Sequence, residues 1–166
     1  MALRKIYKRG DSVLNKTAHP VTKFDHRLFA LLDDLKETLL SAGGVGLAAP
    51  QIGILRRAVV VIDGKDNIIE LINPVIVMEA GEQNGYEGCL SLPGLYGMVK
   101  RPMRVRVRAQ DRTGKFFEAE DEGMTARCFC HELEHLDGHL FVEHTDKLYT
   151  VEELEQMTED EEEGDA

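Results

Sequence analysis

Leu28, Leu31, Leu32, Leu35 and Leu39 recur at steps of three and four residues, so Thr22 to Ala42 reads as an amphipathic helix burying one stripe. Thr22 is its expected N-cap and Gly43-Gly44 its expected stop. The period then changes. Residues 57–62, with the β-branched run Val59-Val60-Val61-Ile62, read as a buried strand that turns at Asp63-Gly64 into a return strand, Ile68 to Ile72. Asn73-Pro74 separates that strand from a further one at Val75 to Met78, and Gly81 to Gly97 holds too much glycine for one long regular element. Strict alternation follows, with Met103, Val105, Val107 and Ala109 on one face and Arg104, Arg106 and Arg108 on the other. This is a half-buried antiparallel strand whose arginines form a solvated exterior, and Asp111-Arg112-Thr113-Gly114 turns it back into Lys115 to Glu120. A second helical segment, residues 124–138, closes at Gly138 and sets Met124, Cys128, His131 and His135 three or four apart. Short antiparallel sheets packed around a helix, after an amphipathic N-terminal helix, predict the α+β class.

Composition adds a boundary. A chain of 166 residues, 43% hydrophobic and 30% charged, suits one domain, taken as residues 1–150, followed by an acidic tail over 151–166. Nine of the 30 acidic residues follow Lys147, the last basic one, so the net charge of −10 divides into −9 for the tail and −1 for the body. The tail reads as helix-forming from Val151 to Met157 and as a frayed, solvated acidic run beyond. A near-neutral body has no global positive field for nucleic acid or an anionic membrane. No uninterrupted apolar run exceeds five residues, and nothing after Met1-Ala2-Leu3-Arg4-Lys5 resembles a signal segment, so a soluble, intracellular protein is expected. The three cysteines are too few and too unevenly placed for a disulfide framework; Cys128 and Cys130, two apart, point in different directions on helix or strand.

The chemistry concentrates in His131-Glu132-Leu133-Glu134-His135. An i, i+4 spacing puts both imidazoles on one helix face where they reach a single ion, and Glu132 stands beside them as a candidate general base. On the pentapeptide alone, a solvated helix with two surface histidines competes with that reading. A catalytic ion needs a third protein ligand and an open position. A metzincin-type continuation fails, because Gly138 fits but the next position in the pattern is Phe141. Glu155, twenty residues beyond His135, would suit a zinc endopeptidase. Cys89, in the glycine-flanked loop Glu87-Gly88-Cys89-Leu90-Ser91-Leu92-Pro93-Gly94, is the third candidate, better placed than Cys128 or Cys130 in the helix.

Gly44-Val45-Gly46-Leu47-Ala48-Ala49-Pro50-Gln51, Glu87-Gly88-Cys89-Leu90-Ser91 and His131-Glu132-Leu133-Glu134-His135-Leu136-Asp137-Gly138 resemble the three motifs of peptide deformylase in order and separation. The likeness runs from Leu3 to about Leu148. It implies a divalent ion held by Cys89, His131 and His135, natively Fe2+, with Zn2+, Ni2+ or Co2+ also accepted. It further implies attack of a metal-bound hydroxide on the formyl carbon of an N-formylmethionyl peptide, releasing formate, with Glu132 as proton carrier. The side-chain amide of Gln51 and the backbone N–H of Leu90 would meet the oxyanion, and Val45, Gly46 and Gly88 would pair with the peptide backbone. A monomeric cytoplasmic enzyme follows by the same resemblance. Ribosome docking through a C-terminal extension is not carried over, because nine acids repel RNA phosphate. The glycine loop is not a dinucleotide turn, which needs a strand before it and a helix after it; here a helix precedes and Pro50 follows.

Two positions depart from the family pattern. Cys130 stands where Gln is usual and Glu134 where Asp is usual, and Arg101 is expected to pair with Glu134. His19, His26, His139 and His144 read as structural or surface residues, and Met98, Met103 and Met124 as packing residues.

Overall fold

A computed structural model describes residues 2–164, so Met1 and the last two tail positions, Asp165 and Ala166, lie outside it. Its class is α+β, built from antiparallel sheets and three helices. The strands are β1 (Gly46–Ala48), β2 (Ala58–Ile62), β3 (Ile68–Ala80), β4 (Gln83–Cys89), β5 (Leu92–Arg101), β6 (Arg104–Gln110) and β7 (Phe116–Glu122). The helices are α1 (His26–Ala42), α2 (Gly123–Leu136) and α3 (Val151–Gly164), with 3-10 turns at Ser12–Asn15, Ala49–Ile52 and Phe141–His144. Five strands form one sheet in the order β1-β2-β3-β6-β7, and β4 with β5 forms a separate hairpin.

The unbroken apolar run in β2 has a simple cause. Ala58 and Val60 face the leucine stripe of α1, while Val59 and Val61 face Ala126, Cys128, Phe129, Leu133 and Leu136 of α2, so both faces of the strand are buried. β6 is buried on one side only: Val105, Val107 and Ala109 enter the α2 core. Opposite them Arg106 pairs with Glu120, Arg104 with Glu122, and Arg108 lies over the Phe116 ring.

Four expectations change. Asp25, not Thr22, caps α1, because its carboxylate accepts from the N–H groups of Arg27 and Leu28. Asn73-Pro74 does not end a strand; β3 runs through it as a bulge, with Asn73 at φ 50° and its amide bonded to the N–H and C=O of Val21 and to Gln110. The tail stays helical to Gly164, nucleated by a capping box in which Thr150 Oγ1 accepts from Glu153 N–H and Glu153 Oε1 accepts from Thr150 N–H. Met98, Met103 and Met124 are 41%, 40% and 65% exposed, so they do not pack the core.

The glycine-rich stretch resolves into the β4–β5 hairpin, whose own small core contains Leu14, Leu92, Val99, Leu140 and Phe141. No α3 side chain is buried; the chain leading into it is tied down by paired backbone bonds between Tyr96 and Tyr149. Among the described residues no helix is long and apolar enough to cross a membrane.

Candidate active site

A cleft of about 530 Å3 opens between the edge of the large sheet and the hairpin, with α2 as its floor. Val45 and Gly46 line one wall, Gly88, Cys89 and Leu90 the other, and Gln51, Cys128, His131 and Glu132 also face it. Two glycines are there for closeness. A Cβ on Gly46 would strike the Glu132 carboxylate and come within 2.7 Å of Cys128 Sγ, and one on Gly88 would stand 2.5 Å from the Tyr96 ring.

Cys89, His131 and His135 come together, with one donor atom from each lying within 4.8 Å of the others. The i, i+4 spacing on α2 sets the imidazoles edge to face with ring centroids 5.1 Å apart, and Cys89 reaches them from the end of β4. Cys89 Sγ lies 3.4 Å from His135 Nε2. Tetrahedral bonds of ordinary zinc–sulfur and zinc–nitrogen length put those atoms about 3.5 Å apart. His131 Nδ1 is bonded to Glu87 at 2.9 Å, which leaves Nε2 for the site. A thiolate and two imidazoles thus fit one divalent ion with a position to spare.

Electrostatics separate the groups. Burial pushes the Glu132 carboxyl up to about 7, against the pull of His131, and its Oε1 has no hydrogen-bond partner among the described residues although His135 Nε2 lies 3.8 Å away. Burial also holds His135 well below the ordinary imidazole value, with His131 and Arg101 adding to it. Burial works against a charged Glu87, yet hydrogen bonds from Arg101 and His131 bring its carboxyl down to about 2. Gln51 is fixed by Ala48 N–H, which donates to its Oε1, so its Nε2 points at Ser91 Oγ (3.1 Å) and Cys89 Sγ (3.5 Å).

Every site residue read from sequence lies at this cleft or its floor, whereas Glu155 is exposed on α3 and takes no part in the Cys/His cluster. Glu87, Ser91 and Arg127 were missed. The first two stood inside a quoted motif without a role; Arg127 carried no signal beyond being a cation among apolar residues of α2. The expected Arg101–Glu134 pair is present, and the three cysteines are free.

Residues 3–151 match the sequence profile of the polypeptide deformylase family. The chain belongs to that family. A peptide deformylase of Caldicellulosiruptor bescii is 52% identical over 156 residues, 94% of this chain and 93% of that protein. Peptide deformylase 1 of Bacillus subtilis is 51% identical over 158 residues, 95% and 99% of the two chains. The crystal structure of a Legionella pneumophila peptide deformylase superposes with a TM-score of 0.84 at 46% identity, covering 87% of each chain. Peptide deformylases are metal-dependent hydrolases that remove the N-formyl group from nascent polypeptides, and that is the activity of this chain. The zinc endopeptidase alternative is not favoured.

Proposed function

We propose that Cys89, His131 and His135 hold the ion, natively Fe2+, and that Glu132 carries the proton in deformylation of N-formylmethionyl chains. The observation carrying this reading is the buried Glu132 carboxylate with an unpartnered oxygen beside the Cys/His cluster. A divalent ion in such a donor set supplies a water that ionises near neutral pH, at a pKa of about 7 in zinc sites.

The chain's own groups do the rest. Val45, Gly46 and Gly88 pair with the peptide backbone, a recognition that tolerates most downstream sequences. Gln51 Nε2 and the Leu90 N–H donate to the formyl oxygen as it gains charge. Glu132 takes a proton from the attacking water and returns it to the departing amine. Residues 1–150 act as the catalytic unit and 151–166 as an appended tail, in a monomeric cytoplasmic enzyme that needs no nucleic acid.

Formate release from a short N-formylmethionyl peptide, by protein purified without oxygen and assayed for metal, tests the assignment. Wild type releases formate; Glu132→Gln keeps its metal and loses about 10²- to 10⁴-fold in kcat. Full activity in Glu132→Gln would remove Glu132 from the mechanism.

A further inference from the structure

We propose that Glu134 and His144 are positioning residues, and that with Phe141 they clamp the His131 imidazole in its metal-binding orientation. The proposal rests on His131 being a ligand.

The segment Leu140–His144 reaches the ring by two routes, one direct and one through hydrogen bonds. Phe141, almost wholly buried, stacks on it with centroids 5.9 Å apart and planes 26° from parallel. Three residues on, His144 Nε2 bonds Glu134 Oε2 at 2.8 Å, and the other Glu134 oxygen bonds Arg101 Nη1. Arg101 then donates to both oxygens of Glu87, at 2.8 and 3.0 Å, and Glu87 Oε1 meets His131 Nδ1 at 2.9 Å. An unbroken series of hydrogen bonds leads from a half-exposed histidine to the imidazole that faces the ion.

Charge balance shows why Glu134 matters. Glu87 also takes Arg127 Nη1 at 2.8 Å, so one buried carboxylate serves two buried guanidinium groups. Glu134 supplies the second negative charge. Without it Arg101 and Arg127 compete for Glu87, and the oxygen that orients His131 is drawn toward them. An aspartate here would be one methylene shorter, so reaching both Arg101 and His144 would require the backbone to shift. The longer side chain makes the link to the Phe141–His144 turn.

The test is Co2+ titration of metal-free protein followed by visible absorption, with kcat and KM measured on the loaded enzyme. Glu134→Ala should raise the Co2+ Kd about 10- to 100-fold, alter the absorption bands, and lower kcat with KM unchanged. His144→Ala should move the same readouts in the same direction by a smaller factor, and Glu134→Asp should fall between wild type and Glu134→Ala. Wild-type Kd and bands in both Glu134→Ala and His144→Ala overturn the proposal. If Glu134→Ala does not fold, His144→Ala decides alone, because its ring is on the surface. His131→Ala separates the two levels: wild-type affinity in that variant overturns the ligand assignment and the clamp together, whereas lost affinity there with unchanged Glu134→Ala and His144→Ala overturns the clamp only.

Discussion

Glu87 shows how much one side chain can organise. It is 4% exposed and bonds Arg101, Arg127 and His131. Glu87→Ala strands the buried Arg127 cation and leaves Arg101 only Glu134, and should cost about 3–5 kcal/mol in urea unfolding of the metal-free protein. A loss below about 1 kcal/mol would mean that solvent reaches the arginines. The cysteines behave differently from one another. Burial raises the Cys128 thiol well above its ordinary range and brings Cys130 to about 11, while Cys89 is only half-buried at the cleft. At pH 8, iodoacetamide should label Cys89 in native metal-free protein and leave Cys128 and Cys130 unmodified until denaturation, as mass spectrometry would report. The Cys/His cluster was legible because metal chemistry demands particular donors at particular spacings. Glu87 was not, since what it does depends on arginines 14 and 40 positions away.

At the scale of elements, the closest packing falls where β1 crosses α2. Gly46→Ala must push Glu132 or Cys128 aside, and a displacement near 1 Å at the reacting groups lowers kcat/KM about 10²-fold. Unchanged kcat/KM would show that the cleft relaxes freely. The helices were read well from their leucine and histidine spacings, as was β6 from its alternation. Asn73 was read poorly: Asn-Pro usually breaks a strand, and only the distant Val21 and Gln110, which bond its amide, let β3 continue through a left-handed residue. The α1 boundary failed for a related reason, since Thr22 and Asp25 are both good caps and only the three-dimensional path of the chain selects between them.

For the molecule as a whole, the charge division is also a structural one. α3 contributes nothing to any hydrophobic cluster, so deletion of residues 151–166 should leave kcat/KM within about twofold while moving the net charge from −10 to −1. Ion-exchange elution would register the second change and formate release the first. A much larger loss of activity would tie the tail to catalysis. Its helix was underestimated from sequence because acidic composition masked the Thr150-Glu153 cap. The sheets have another consequence. Among the described residues β1 pairs only with β2, and β4 only with β5, so two strands border the cleft with one edge each lacking a ladder partner. A polypeptide lying between them would be the missing eighth strand. Bound along both edges, it would join the five-stranded sheet and the hairpin into one continuous layer.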